Sequence, residues 1–302
     1  MMRYKPMLAY PVSDKPIDYS KPTFIQPKLD GVRCVIQNEK REGYEIVTAY
    51  SRTGKEWKNI NHILGQLRPF FDKFPNVVLD GELYNHKLKN DFEKIISLVR
   101  RKKPIDKDKK ESKKLVEFHI YDVIVPPSGI QSPQILGENG NDLFSTRNSF
   151  IRANFGRHKA PNCFRTLQFE LVYSKEEAVL CHKKNLVLGY EGSILRLNRR
   201  YEQKRSYNLR KYKDFHDAEA TIIDYVEGKG KRIGTLGKFV MRDDNGVEFG
   251  CPPGKGYNYQ DLTNLLFRAP HYIGARATFT YFERTKAGSY RHPLFKVIRD
   301  YE

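Results

Sequence analysis

Short runs rich in Val, Ile, Tyr and Phe recur at 23–26, 32–37, 45–50, 76–84, 116–125, 164–173 and 192–197, and their length and composition predict strands. Between them the spacing changes. In 60–74, Ile60, Ile63, Leu64, Leu67, Phe70, Phe71 and Phe74 recur at intervals that gather them on one side of a helix, and 90–101, 146–158 and 175–187 are further helix candidates. Strands interleaved with covering helices predict an α+β domain built on antiparallel sheets. Past a polar link at 214–218 the texture is nearly all strand and turn: EATIIDYVEG, TLGKFVMRDDNGVEFG, ATFTYFER and LFKVIRDY. A hairpin signal at Asp244-Asn245-Gly246 and one helix candidate near 258–268 predict a small all-β Greek-key barrel of the OB-fold type. The expected boundary lies near residue 216, giving domains 1–216 and 217–302.

Charge narrows the partner. The 302 residues carry 54 Lys+Arg against 36 Asp+Glu, a formal net charge of +18, which points to a polyanion, nucleic acid first. No long apolar run or lipidation signal supports a membrane surface, and the opening MMRYKPMLAYPVSDKP lacks the apolar stretch of a secretory leader. An intracellular protein is expected, cytoplasmic in a bacterial or phage-infected host. The four cysteines, Cys34, Cys163, Cys181 and Cys251, are scattered without metal-ligand spacing and read as reduced thiols. The biased stretch from Arg100 to Lys114 holds nine basic and three acidic residues and is expected to be a mobile basic loop.

Candidate chemistry begins at PKLDGVR, Pro27 to Arg33, which joins two apolar β-type runs and sets Lys28 at a sheet's edge. A lysine amine attacks phosphorus only when deprotonated, and burial or neighbouring positive charge eases that loss. KLDGVR resembles the nucleotidyl-acceptor motif of the superfamily of ATP-dependent DNA ligases, RNA ligases and messenger-RNA capping enzymes. SRTGK (Ser51–Lys55), VVLDGELY (Val77–Tyr84), EFHIYDVI (Glu117–Ile124), GYEGSILR (Gly189–Arg196), LRKYKDF (Leu209–Phe215) and RHPLFKVIRD (Arg291–Asp300) resemble its later motifs in order. The junction DFHDAEATI is closer to DNA ligases than to capping enzymes.

The resemblance implies an ATP-dependent DNA ligase with a nucleotidyltransferase (adenylation) domain followed by the OB-fold barrel. It implies a lysyl-adenylate on Lys28, supported by Asp30, with Mg²⁺ (or Mn²⁺) held at Glu82 and Glu191. Glu82 would contact the ribose or a metal water. Lys211 and Lys213, alternating along a strand, would grip the α-phosphate. Tyr121, or alternatively Phe118, would stack on adenine, and Gln26 would read the purine edge. Arg33 and Arg52 would bind phosphate or sugar oxygens. Arg299, with Arg291 as second candidate, would orient pyrophosphate if the barrel closes over the ATP site.

The implied partner is nicked duplex DNA, with the protein a monomer. Neither a domain ahead of the first motif nor a long insertion between barrel strands is visible, so grip is expected from Arg52, Arg101, Lys102, Lys103, Lys109 and Lys110, from 126–145, and from Arg199 and Arg200. An RNA ligase, a capping guanylyltransferase and a non-catalytic OB-type nucleic-acid-binding protein are the competing readings. The last leaves the ordered set Lys28, Glu82, Glu191, Lys211 and Lys213 without a purpose.

Overall fold

The computed structural model describes residues 4–89, 91–125, 143–156, 162–254, 256–285 and 287–299, in two compact units, Met1–Tyr212 and Lys213–Glu302. Most of the expected 126–145 segment therefore lies outside the described residues. The first unit runs β1 (Leu8–Pro11), β2 (Thr23–Lys28), β3 (Val32–Arg41), β4 (Tyr44–Tyr50), α1 (Asn61–Lys73), β5 (Val78–Tyr84), α2 (Phe92–Val99), α3 (Asp106–Leu115), β6 (Glu117–Val125), α4 (Phe144–Phe155), β7 (Phe164–Thr166), β8 (Glu170–Val172), α5 (Lys175–Val187), β9 (Gly192–Leu197) and β10 (Arg205–Tyr212).

These strands form two mainly antiparallel five-stranded sheets, ordered β1-β10-β9-β2-β8 and β4-β3-β5-β6-β7. The period-2 alternation of each strand sends one set of side chains to each face. In the second sheet Cys34, Ile36, Leu79, Leu83, Phe118 and Ile120 turn outward and join Ile63, Leu67 and Phe71 of α1 and Ile95, Leu98 and Val99 of α2 in the main core. Burying such side chains stabilises the fold by about 1.5–3 kcal/mol each. The opposite face meets the first sheet, where Val35 and Val78 pack with Met7 and Leu209. A third cluster, including Ile25, Leu195, Val172 and Ala178, seats α5 on the outside of the first sheet.

Two expectations change. The run 164–173 is not one strand but β7 and β8, which belong to different sheets, with Phe169 between them set edge-on to Phe24 at 4.9 Å. A continuous apolar run gives no sign of where the chain changes partner. The basic stretch 100–114 is also no mobile loop along its length, because residues 106–115 form α3. Asp106 and Asp108 stand in its first turn and Lys113 and Lys114 in its last, which complements the helix dipole.

The second unit comprises β11 (His216–Glu227), β12 (Leu236–Arg242), β13 (Glu248–Cys251), α6 (Tyr259–Arg268), β14 (Arg276–Tyr281), β15 (Glu283–Arg284), β16 (Tyr290–Arg291) and β17 (Leu294–Ile298). The five-stranded sheet is ordered β13-β12-β11-β14-β17, and a bridge between Pro253 and Phe295 joins its two edges. That closure, with α6 between the third and fourth sheet strands, is the five-stranded Greek-key arrangement of an OB-like fold. Gly246 closes the β12–β13 hairpin at φ +80°, a conformation glycine adopts without steric cost.

Candidate active site

The site follows from register in the first unit. Gln26 pairs with Ile194 and Lys28 with Gly192, while Lys211 pairs with Ile194 and Leu209 with Arg196. The pleat therefore puts Gln26, Lys28, Arg196 and Lys211 on one face of the first sheet. In the second sheet Arg33 pairs with Glu82 and Val35 with Asp80, which places those residues on the face carrying Val35 toward the first sheet. Two charged faces thus line one cleft.

Lys28 donates from Nζ to Glu191, whose backbone N–H is held at 3.0 Å by the Lys28 carbonyl. Two glycines make this approach possible. A Cβ on Gly31 would stand 2.6 Å from Glu82 Cγ and from the Leu83 carbonyl oxygen, and one on Gly192, at φ +152°, would meet the Tyr212 carbonyl oxygen at 2.3 Å. Asp30 lies in the turn between β2 and β3, and its charge adds to burial in pushing the Tyr84 hydroxyl up. Tyr121 donates its hydroxyl to Glu82 at 3.1 Å, and burial pushes the Glu82 carboxyl up to about 7, against the pull of Arg33 and Lys28.

Beneath these groups lie two buried ionic clusters that sequence reasoning missed. Asp80 accepts a two-pronged contact from Arg33, at 2.6 Å from Nε and 2.5 Å from Nη2, and a hydroxyl from Tyr201 at 2.7 Å. Asp122 accepts from Arg147 Nε at 2.7 Å and Arg196 Nη1 at 2.6 Å. Burial alone would raise the Asp122 carboxyl, but the two guanidinium groups outweigh it and hold the group below its ordinary range. Arg196 also donates from Nε to Gln26 Oε1 at 2.6 Å, so the amide's orientation is set by a group that can only donate. Gln26 Nε2 is then a buried donor with no partner among the described residues. The available signal was a charged residue inside an apolar run, in VVLDGEL, HIYDVI and SILRL, since a charge buried there demands a partner.

The other expected residues divide. Arg33 has Nε and Nη2 engaged by Asp80, and its guanidinium stands 5.0 Å from the Tyr121 ring centre. Phe118 is fully buried in the core on the far face of its sheet, whereas Tyr121 lies on the cleft side between Arg33 and Arg196. Arg52 is exposed on the tight turn closed by Ser51 N–H to the Lys55 carbonyl at 2.7 Å. Of the alternating pair, Lys211 lies in β10, but Lys213 stands one residue beyond it, its ammonium 4.3 Å from the Phe282 ring centre. In the second unit Arg299 donates to Glu219 at 2.9 Å and Arg291 pairs with Glu283.

The expected DNA-contacting residues Lys102, Lys103, Lys110, Arg199 and Arg200 are exposed. Arg101 pairs with Asp108 at 3.3 Å and Lys109 with Asp106 at 3.1 Å. All four cysteines are free thiols. Among the described residues no three His, Cys, Asp or Glu side chains cluster as a metal cage, and no helix is long and apolar enough to cross a membrane.

Comparison with known proteins matches this geometry to a family. The model of the ATP dependent DNA ligase domain matches residues 6–213, and that of the DNA ligase OB-like domain matches 227–299. A DNA ligase of African swine fever virus is 28% identical over 296 residues, covering 89% of this chain; the chain spans 64% of that relative's length. A DNA ligase of Haemophilus influenzae is 27% identical over 292 residues, covering 96% of this chain and 90% of its own. The fold is shared with a structure described as "DNA binding with a minimal scaffold: Structure-function analysis of Lig E DNA ligases", at TM-score 0.73 and 23% identity, covering 99% of this chain and 100% of that one. With its adenylation-type first unit matched over more than half the chain, this protein belongs to the ATP dependent DNA ligase domain family.

Proposed function

We propose that the chain is an ATP-dependent DNA ligase that seals nicks in duplex DNA through an adenylate carried on Lys28, with an adenylation domain over 1–216 and an OB-fold domain over 217–302. The observation that carries this reading is a lysine amine paired with Glu191 in a cleft lined by Gln26, Glu82, Tyr121 and Lys211.

Lys28, held by its hydrogen bond to Glu191, attacks the α-phosphorus of ATP as the free amine once its proton has left to solvent, and the bond to pyrophosphate breaks. Lys211 neutralises the phosphate on which charge develops. The 5′-phosphate at a nick then takes AMP from the lysine. The neighbouring 3′-hydroxyl attacks that activated phosphate, closing the phosphodiester and releasing AMP, with Asp30 supporting the loop. Gln26, oriented by Arg196, offers its Nε2 donor to the purine edge, and Tyr121 stands at the base.

Glu82 and Glu191 lie close enough for their charges to interact, which suits Mg²⁺, an ion usually held by one or two carboxylates together with substrate phosphates. Glu82 and Glu191 would hold it. When bound, the ion supplies charge neutralisation at the phosphates. Arg52, Arg199 and Arg200 are exposed cations suited to the polyanionic partner, and the active species is a monomer.

The test is incubation with α-labelled ATP or GTP, then with a nicked duplex. ATP-specific label that chases into sealed DNA is expected, and Lys28→Ala protein should take no label. GTP-specific label, or label on the Lys28→Ala variant, would overturn the assignment.

A further inference from the structure

The nine basic residues between Arg100 and Lys114 are charge that the cleft does not use. Their helical part is firmly docked. Ser112 Oγ donates to the Asn59 carbonyl at 2.5 Å, and Asn59 Nδ2 donates to the carbonyls of Leu98 and Asp108 at 3.0 and 3.3 Å. Asp108 accepts the Ile105 N–H at 3.1 Å, and Lys94 ties Glu111 to α2 at 2.5 Å. Asp108 and Ser112, one turn apart, are the buried side of α3.

That anchoring decides what faces outward. Lys107, Lys110 and Lys114 are exposed and stand at i, i+3 and i+7, so they form one stripe, and they line a concavity of about 560 Å³ with Glu111 and Leu115. The nearby carboxylates of Glu111 and Asp106 are already paired with Lys94 and Lys109. At a rise of about 1.5 Å per residue the stripe spans about 10 Å. Successive phosphates of one DNA strand rise about 3.4 Å along the helix axis and lie farther apart along the winding strand itself, so three flexible lysines over this span can meet about two or three of them. A row on a docked helix also loses less freedom on binding than the same lysines on a loop would.

We infer that α3 is a phosphate rail that grips one strand of the duplex through Lys107, Lys110 and Lys114. The inference rests on the reading that the substrate is duplex DNA. A membrane surface fits less well, because the helix presents ammonium groups without the exposed apolar face that interfacial helices bury.

The test compares wild type with the triple variant Lys107→Gln/Lys110→Gln/Lys114→Gln and with Lys40→Gln/Lys175→Gln/Lys183→Gln, which removes equal charge from other exposed positions. Nicked-duplex affinity is measured across salt concentrations, beside ATP labelling. Each lost contact should flatten the slope of log K against log salt by about 0.9, so the α3 variant should lose about 2–3 while the control stays near wild type and both retain labelling. A wild-type slope in the α3 variant, an equal loss in the control, no duplex binding by wild type, or α3-dependent binding to phosphatidylserine vesicles exceeding that to duplex would each overturn the rail. Wild-type protein that binds duplex through α3 but takes no label from ATP would sink the ligase reading and leave the rail standing.

Discussion

Replacing Glu82 with Gln should make the free protein more stable above neutral pH and leave it unchanged in acid. The folded carboxyl is pushed by burial from 4.5 to about 7, so between those values the native state holds a proton that the unfolded chain has released. The resulting stability is fully present below pH 4.5 and is lost as pH rises through 7. Each pH unit of that interval corresponds to about 1.4 kcal/mol, which makes about 3 kcal/mol for the whole. Part of the side chain meets solvent, which screens the charge and brings the expected difference to about 1–3 kcal/mol. Gln keeps an oxygen for the Tyr121 hydroxyl but carries no charge, so it lacks this pH dependence. The assay is urea unfolding of protein discharged with pyrophosphate, followed by the fluorescence of Trp57. This is the chain's one tryptophan, is buried, and donates to the Arg33 carbonyl at 3.2 Å, so it reports on the first unit. Below pH 4.5 the two proteins should match; above 7 the variant should be the more stable. A difference that stays constant across the interval, or that grows in favour of wild type as pH rises, would refute the argument.

Asp122→Asn should destabilise the first unit by about 3–5 kcal/mol in the same unfolding assay, because it leaves Arg147 and Arg196 buried beside a neutral group. Arg242→Gln, which breaks the exposed pair with Glu248, should cost no more than about 1 kcal/mol. Gly31→Ala should slow ATP labelling on the order of a hundredfold, since its Cβ forces the Lys28 loop away from Glu82 and Leu83, and displacements near 1 Å carry that penalty. Gly65→Ala, in α1 with nothing within 4 Å of the new Cβ, should label at the wild-type rate; equal slowing of both would remove the steric explanation.

Much of the architecture was legible from local pattern. Period-2 runs marked the strands, the spacing of Ile63, Leu67 and Phe71 marked α1, and Asp244-Asn245-Gly246 marked the hairpin, because each is a constraint among neighbours in sequence. Motif order alone singled out Lys28, Glu82, Glu191 and Lys211 as candidates, since their order along the chain can be read without knowledge of the fold. Residues 164–173 were misread because an apolar run records burial but not which sheet supplies the partner, and β7 and β8 find theirs in different sheets. The 106–115 stretch was misread because its charge hid Asp108 and Ser112, the two positions that dock α3.

The sequence by itself determined most of the strand and helix repertoire, the excess of positive charge and the setting of a lysine in a glycine-bearing loop. Tertiary structure alone decided which charges are available. Arg33 and Arg196 are both arginines in apolar runs, yet one has its fork taken by Asp80 while the other orients Gln26 and pairs with Asp122 across the cleft. Spacing by two puts Gln26 and Lys28 on one face of β2, but only the cross-strand register brings Lys211 to that face. Charged groups in a water-poor interior must find partners across the fold, and those partnerships are contacts between residues far apart in the chain, which no local pattern encodes.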